Sequence, residues 1–198
     1  MTDRMSLFPV FLKLAGRRVL VVGGGPVAAS KLAALVAAGA VVHVVAPEVV
    51  PAISEHGVEV QRRQFVPADL DGVWFVVAAA TPEVNRQVAD AAESRHVFVN
   101  AVDDLASASA YLGGVVRKGG VTLAISTDGR APALAGLLRE GLETVLPDDL
   151  AKWQEAADAA RRDWKADGVP MEARRPLLLR AINRLYATGP HDAAENLV

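Results

Sequence analysis

The stretch Arg17-Arg18-Val19-Leu20-Val21-Val22-Gly23-Gly24-Gly25-Pro26-Val27-Ala28 decides the fold of this 198-residue chain. Its continuous β-branched, apolar run over 18–22 predicts a strand that is buried on both faces. Three glycines follow, and Pro26 suits the first turn of a helix because its missing N–H is no loss there. A helix over 26–38, ended by Gly39, completes a strand–turn–helix unit.

The spacing Gly23-x-Gly25-x-x-Ala28 is that of a dinucleotide-binding turn with alanine in the last position. The first glycine allows the tight turn, the second lets the backbone approach a pyrophosphate, and the small third residue lets the helix pack on the strand. The helix N-terminus offers free N–H groups to the phosphates. The alternative is a tight turn without a ligand, but the buried strand and apolar helix around the turn favour dinucleotide binding.

A second predicted strand over 41–45 leads into Ala46-Pro47-Glu48, where dinucleotide-binding folds place an acid on the ribose hydroxyls. Glu48 comes slightly late for that role, and backbone groups of Ala46 and Pro47 are the alternative. No arginine follows immediately, so a 2′-phosphate has no evident partner. The sequence therefore favours NAD over NADP.

Strand and helix signals keep alternating along the first half of the chain. Strands are predicted over 58–60, 73–78 and 97–102, and a helix over 83–95. Because strands that alternate with helices form parallel sheets, we expect an α/β fold with a Rossmann-type parallel sheet.

The pattern changes after Asp103. A hairpin turning at Lys118-Gly119-Gly120 and a helix over 131–146 predict a small mixed segment, and only helices follow Asp148. The predicted domains are a Rossmann domain over 1–112, a small mixed segment over 113–147 and a C-terminal helical domain over 148–198. Trp153 and Trp164 are expected to anchor the helical core, and the tail after Ala187 is expected to be frayed.

The composition excludes several function classes. A net charge of −2 gives no electrostatic reason to bind nucleic acid or an anionic membrane. The absence of cysteine excludes disulfides, cysteine-ligated zinc, iron–sulfur clusters and a thiol nucleophile, and the four histidines are scattered. No apolar run approaches the roughly 20 residues that span a bilayer. We expect a soluble, cytoplasmic protein with no metal ligand set.

Asp103 is the leading candidate for an acid–base group. It follows the predicted strand over 97–102, at the sheet edge where open α/β folds bind ligands, and it can act as a base beside a nicotinamide. The alternative is an ordinary turn or capping residue, which Asp104 also resembles. The Tyr-x-x-x-Lys pair of short-chain dehydrogenases is absent, since Val115 and Pro190 stand four residues after the two tyrosines.

Several motifs accompany the glycine turn in a fixed order between Leu7 and Pro147. They include Phe8-Pro9-Val10-Phe11-Leu12, Val44-Val45-Ala46-Pro47-Glu48, Ala78-Ala79-Ala80-Thr81, Asn100-Ala101-Val102-Asp103, Ala124-Ile125-Ser126-Thr127 and Leu137-Leu138-Arg139-Glu140. Together they resemble the siroheme synthase N-terminal family. The helical tail matches that family only in character.

The resemblance implies oxidation of precorrin-2 to sirohydrochlorin with NAD as hydride acceptor, and in some members insertion of ferrous iron to give siroheme, a ferrochelatase (lyase) reaction. It implies a homodimer whose interface is formed by the segment 113–147. The family's catalytic aspartate falls on Asp103. The predicted cofactor contacts are Gly23, Gly24, Gly25, Pro26, Val27, Ala46, Pro47, Glu48, Ala80 and Thr81.

The carboxylates of a tetrapyrrole need cationic or N–H partners. The candidates are Asn100, Ser109, Arg117, Lys118, Ser126, Thr127 and Arg130. Helix capping and dimer packing are the alternative for Ser126 and Thr127. Two departures from the family pattern bear on this site: Asp128 adds a negative charge, and 109–113 lacks the family's aromatic and proline residues.

Two hypotheses from different classes follow. The first is an NAD-dependent precorrin-2 dehydrogenase, with or without ferrochelatase activity. The second is a non-catalytic NAD-sensing regulatory module that acts on a partner through its helical tail. Asp103 discriminates between them, because a sensor has no need of a base beside the nicotinamide.

Overall fold

The computed structural model describes residues 7–186, so the predicted frayed tail after Ala187 lies outside the described residues. The chain divides into two compact units with the boundary between Leu112 and Gly113. The further division predicted at residues 147 and 148 stays a prediction. No helix within 7–186 combines the length and apolar character needed to cross a membrane.

The first unit contains a five-stranded parallel sheet, as the alternating pattern predicted. Its strand order is β3-β2-β1-β4-β5, which places β1 at the centre. The strands are β1 (Arg18–Val22), β2 (Val41–Val45), β3 (Glu59–Gln61), β4 (Phe75–Ala78) and β5 (Phe98–Ala101). The helices are α1 (Pro26–Ala37), the short α2 (Pro51–Ser54) and α3 (Pro82–Glu93).

The sheet is buried on both faces, which explains its continuous apolar strands. Along β1, Val19 and Val21 join the core cluster beneath α1, while Leu20 and Val22 join the cluster beneath α3. The C-terminus of α1 is fixed by Gly39, which has φ 72° and donates its N–H to the carbonyl oxygen of Val36 at 2.8 Å. This left-handed glycine ends the helix and directs the chain into β2.

The second unit begins with a hairpin of β6 (Gly114–Lys118) and β7 (Val121–Ile125), followed by α4 (Pro132–Val145), α5 (Leu150–Ala166) and α6 (Met171–Arg184). Both turn residues, Gly119 and Gly120, have positive φ, as a two-residue hairpin turn requires. Nζ of Lys118 donates to the carbonyl oxygen of Leu146 at 2.7 Å and pairs with Asp148 at 2.7 Å. These contacts attach the hairpin to the end of α4.

The prediction that Trp153 and Trp164 anchor the helical core is wrong, because both rings are only partly buried. Nε1 of Trp153 donates to the hydroxyl of Tyr186, which in turn donates to Asp149 at 2.9 Å, so this ring connects α5 with Tyr186, two residues beyond the end of α6. Val116, Ala135 and Leu150 are the buried apolar residues among those described in this unit. Its core is therefore small.

A buried carboxylate holds the loop between β3 and β4. Asp69, which is 9% exposed, accepts hydrogen bonds from Nη1 of Arg63 at 2.8 Å and from the backbone N–H of Val66 at 2.9 Å. Burial acts to raise the pKa of Asp69, but the bonds from Arg63 and Val66 outweigh it and hold the pKa below its usual value.

Asp69→Asn is expected to lower the free energy of unfolding at neutral pH by about 1–3 kcal/mol, because Arg63 and Val66 lose a charged acceptor. Since the pKa of Asp69 is depressed in the folded state, its contribution is complete above the unfolded-state pKa and is lost as the pH falls through the folded-state pKa. Urea unfolding at neutral pH and below about pH 4 measures both effects. Equal acid sensitivity of the variant and the wild type would contradict this assignment.

Candidate cofactor and active site

The carboxyl ends of the central strands meet at one edge of the first unit's sheet. The register pairs Val22 of β1 with Val45 of β2 and with Ala78 of β4, and Ala78 with Ala101 of β5. The first residues beyond these strands are Gly23, Ala46, Ala79 and Val102. Open α/β sheets bind their ligands at this edge, where the strand order reverses.

The glycine turn requires glycine at two positions for steric reasons. Gly23 has φ 126°, and a Cβ atom there would overlap the carbonyl oxygen of Ala79. A Cβ atom on Gly24 would overlap the carbonyl oxygen of Glu48, and the carbonyl of Gly24 accepts a hydrogen bond from the N–H of Val50 at 2.8 Å. The loops after β2 and β4 therefore pack directly on the turn.

The start of α1 fits a diphosphate. Gly25 has extended backbone (φ −85°, ψ −178°), provides no side-chain cap and has open space where a Cβ atom would lie. The first intrahelical bond runs from the N–H of Ala29 to the carbonyl of Gly25, so the N–H groups of Val27 and Ala28 have no helical acceptor. Open space, uncapped N–H groups and the helix dipole together suit a pyrophosphate.

The end of β2 carries the predicted adenosine-side contacts. Ala46 is buried, whereas Pro47 and Glu48 are exposed next to the glycine turn. An exposed carboxylate here can accept hydrogen bonds from ribose hydroxyls. The contacts of Ala46, Pro47 and Glu48 with a cofactor stay predictions.

The loop Ala79-Ala80-Thr81 connects β4 to α3 and packs against Gly23. Thr81 caps α3 by accepting the N–H of Val84 at 3.5 Å. Asn85, which is 3% exposed, accepts the N–H of Ala80 at 2.9 Å with its Oδ1 atom. The sequence assigned Ala80 and Thr81 to the predicted site, while Asn85 belongs to a motif, Val84-Asn85, that shares the family resemblance and was given no role in the site. The signal for Asn85 in the sequence was a polar amide on the same helical face as the apolar Val88, a face expected to be buried.

Asp103 stands just beyond β5 in a conformation that few non-glycine residues adopt. Its φ is 57°, its side chain is exposed, and its carboxylate accepts no hydrogen bond from any residue within 7–186. Left-handed backbone at such a residue often marks a functional position. The geometry thus leaves this carboxylate available at the ligand-binding edge.

Asp104 differs sharply from its neighbour. Its carboxylate accepts the hydroxyl of Ser107 at 2.6 Å and the N–H of Ser107 at 3.2 Å. The hydroxyl bond of Ser107 is the main cause that lowers the pKa of Asp104. Asp104 is therefore a turn residue, whereas the role of Asp103 as an acid–base group stays a prediction.

Two predicted substrate contacts of the first unit make internal hydrogen bonds. Nδ2 of the buried Asn100 donates to the carbonyl oxygen of Ala110 at 3.0 Å, and the hydroxyl of Ser109 accepts the N–H of Val99 at 2.9 Å. These bonds hold Ser109 and Ala110 along the free edge of β5. A substrate contact by Asn100 or Ser109 stays a prediction.

In the second unit, Ser126, Thr127 and Arg130 share the loop before α4. The hydroxyl of Thr127 accepts the N–H of Ala131 at 3.3 Å, and that of Ser126 accepts the N–H of Asp128 at 3.1 Å. Arg130 lies 3.4 Å from the carboxylate of Asp128, which has φ 52°. Both bonds lie within the loop and do not cap α4, whose N-cap residue Ala131 receives no side-chain capping bond. Substrate contact by this loop stays a prediction.

Arg117 lies apart from that loop. It pairs with Thr122 beside the hairpin turn, four residues before Ser126. At about 3.4 Å per residue this separates the two positions by roughly 14 Å along the strand. Lys118 is held by Leu146 and Asp148. The structure therefore does not gather these predicted contacts into one cluster within the unit.

Two clefts of the first unit lie at the opposite, amino-terminal edge of its sheet. Their volumes are about 280 and 380 Å³, and they share Val73 and Trp74 in their walls. Within 7–186 there is no group of three His, Cys, Asp or Glu residues arranged to hold a metal ion.

Comparisons with known proteins support a nicotinamide-dinucleotide-binding domain in this chain. Residues 10–114 match a family described as "Putative NAD(P)-binding". The chain is 38% identical over 200 residues to a siroheme synthase of Zymomonas mobilis subsp. mobilis, an alignment that covers 96% of this chain and 42% of the relative. It is 38% identical over 188 residues to a siroheme synthase of Photorhabdus laumondii subsp. laumondii, covering 92% and 40%. The chain thus spans about two fifths of these relatives.

A solved structure covers most of the fold. The precorrin-2 dehydrogenase SirC superposes with a TM-score of 0.70 at 27% sequence identity, covering 89% of each chain. This similarity extends well beyond the family match, so it includes elements of both units.

Proposed function

This chain belongs to the siroheme synthase N-terminal family of NAD(P)-binding domains, and we propose that it is a precorrin-2 dehydrogenase that uses NAD to form sirohydrochlorin. The observation that carries the proposal is the arrangement of the carboxyl edge. A glycine turn suited to a diphosphate follows β1, and an exposed Asp103, which has no hydrogen-bond partner among the described residues, follows β5, two strands away. A sensing module would need only the turn.

The chain's residues divide the chemistry between them. The turn at Gly23, Gly24 and Gly25 and the first N–H groups of α1 bind and orient the diphosphate. When bound, NAD⁺ supplies the acceptor for the hydride that leaves precorrin-2. Asp103 accepts the proton that the oxidised ring must also lose, so that one hydride and one proton leave per turnover.

Cofactor selectivity follows from the end of β2. Glu48 is exposed there, and a carboxylate favours a free 2′-hydroxyl over a 2′-phosphate through hydrogen bonding and charge. No arginine follows the strand immediately. The proposed cofactor is therefore NAD.

Substrate binding is proposed for polar groups of both units. A polycarboxylate tetrapyrrole offers acceptors to Arg117, Arg130 and the loop at Ser126 and Thr127. We include Asn100 and Ser109 because they border the strand that ends at Asp103. Ferrous iron is proposed as a second substrate of the same site, since the exposed carboxylate of Asp103 can also accept pyrrole protons while the ring itself provides the nitrogen ligands.

A homodimer is proposed through the second unit. Helix α4 exposes Leu134, Leu137, Leu138 and Val145, of which Leu137 is 65% and Val145 79% exposed. Such an apolar stripe on a unit with a small core is typical of a surface covered by a partner. We propose that a second copy of this chain covers this surface, as the family resemblance implies.

Leu137→Glu is expected to convert the dimer to a monomer, because a charge would be buried in the apolar interface. Light scattering during size-exclusion chromatography measures the mass. Val36→Glu, at an exposed valine of α1 in the first unit, is the matched control and should stay dimeric. A wild-type monomer, or a dimeric Leu137 variant, would refute the interface.

The function is tested by incubating the chain anaerobically with precorrin-2 and NAD⁺ while absorbance follows both NADH and the tetrapyrrole. We expect one NADH for each sirohydrochlorin, and little turnover with NADP⁺. Ferrous iron is added afterwards to test chelation. Tight NAD binding without any oxidation of precorrin-2 would favour the sensing module instead.

A further inference from the structure

Asn85 is a polar side chain at a position that helix periodicity assigns to the core. It lies one turn before Val88, which is fully buried against the sheet, and is itself only 3% exposed. A buried amide is costly unless it forms hydrogen bonds. Asn85 forms such a bond: its Oδ1 accepts the N–H of Ala80, which precedes α3, at 2.9 Å.

This bond fixes the loop Ala79-Ala80-Thr81, which is also hydrogen-bonded to the sheet. The N–H of Ala79 donates to the carbonyl of Val22 at 2.8 Å, and the carbonyl of Ala79 lies where a Cβ atom of Gly23 would be. Two hydrogen bonds thus hold the loop after β4: one joins Ala79 to the end of β1, and the other joins Ala80 to Asn85. Loss of the Asn85 bond would remove one of these two restraints on the loop.

The strand order gives the loop its significance. Strand β4 lies between β1, which leads into the glycine turn, and β5, which leads to Asp103. Adjacent strands are about 4.8 Å apart, so a dinucleotide reaching from the turn toward Asp103 must cross the end of β4. Its nicotinamide half therefore passes over Ala79-Ala80-Thr81, whereas its adenylate half lies toward β2.

We propose that Asn85 is a positioning residue that holds the Ala79-Ala80-Thr81 loop as the support for the nicotinamide half of the cofactor. The inference rests on the proposed dehydrogenase function of the same edge. Asn85 touches neither cofactor nor substrate and acts through the backbone of Ala80. Its removal should affect NADH more than a ligand that lacks the nicotinamide riboside.

The test compares Asn85→Ala with Val88→Ala, which removes buried volume one turn later on α3 but leaves the Ala80 bond intact. Dissociation constants for NADH and for ADP are measured by titration calorimetry, and Tm is measured for each variant. Asn85→Ala is expected to weaken NADH binding about tenfold, the effect of losing an ordered hydrogen bond, and to change ADP binding by less than about twofold. Val88→Ala should lower Tm comparably and leave both constants unchanged.

Asn85→Asp provides a rescue, because its Oδ1 can still accept the N–H of Ala80, and NADH affinity should return at least in part. Equal weakening of NADH and ADP by Asn85→Ala, or equal effects of the two alanine variants, would overturn the proposal. These titrations require no precorrin-2. If the wild type binds NADH but never oxidises precorrin-2, the dehydrogenase proposal fails while the titrations still decide the role of Asn85.

Discussion

Asp103→Asn is expected to slow precorrin-2 oxidation by about 100- to 10,000-fold, the usual contribution of a general base, while the dissociation constant for NAD changes by less than about twofold. Asparagine keeps the size of the side chain but cannot accept the proton. It also tolerates the left-handed backbone, φ 57°, that Asp103 adopts, whereas alanine there would add strain. Steady-state oxidation and NADH titration measure the two effects separately.

Asp104→Asn is the matched control for this experiment. It changes the adjacent carboxylate, which is already bound by Ser107, and so should affect the turn rather than the chemistry. We expect a lower Tm and nearly wild-type turnover. If the Asp104 variant lost activity and the Asp103 variant retained it, the two acids would have been assigned the wrong way round.

Gly24→Ala is expected to abolish NAD binding, because the new Cβ atom would overlap the carbonyl oxygen of Glu48 and displace the loop after β2. The same displacement should lower Tm markedly, since a backbone atom cannot move aside as a flexible side chain can. Calorimetric titration with NADH and thermal unfolding followed by circular dichroism measure the two losses.

Gly25→Ala is the companion variant. Gly25 has extended backbone and open space around a would-be Cβ atom, so the substitution should leave Tm near that of the wild type. Its methyl group would nevertheless restrict the close approach of backbone to the diphosphate, and NADH binding should weaken. Normal NADH binding by the Gly24 variant would show that the turn is not the diphosphate site.

The central strand–turn–helix unit is where sequence reasoning was most accurate. Strands β1 and β2 begin and end at the predicted residues, and α1 ends one residue earlier than predicted. Uninterrupted β-branched runs, Pro26 and Gly39 define these elements locally, so little tertiary information was needed. The strands predicted over 73–78 and 97–102 were too long, because Val73 and Val97 are buried in turns that precede β4 and β5.

The active-site details depended on contacts that no local pattern encodes. The left-handed backbone of Asp103 and the bond between its neighbour Asp104 and Ser107 distinguish two adjacent acids that the sequence alone does not separate. The role of Asn85 depends on the N–H of Ala80, five residues earlier across a loop. The sequence predicted Trp153 and Trp164 as core residues because hydrophobicity alone does not distinguish a core position from a partly buried one.

The central claim is that the glycine turn and Asp103 serve one ligand-binding crevice, and a crystal structure of the chain with bound NAD tests it most directly. The measurement is the distance from the nicotinamide C4 atom to the nearest carboxylate oxygen of Asp103. Two successive reactive contacts of about 3–3.5 Å, with the substrate ring between them, predict a separation of roughly 7 Å. A diphosphate bound away from Gly23, Gly24 and Gly25, or a carboxylate directed away from the nicotinamide, would contradict the account.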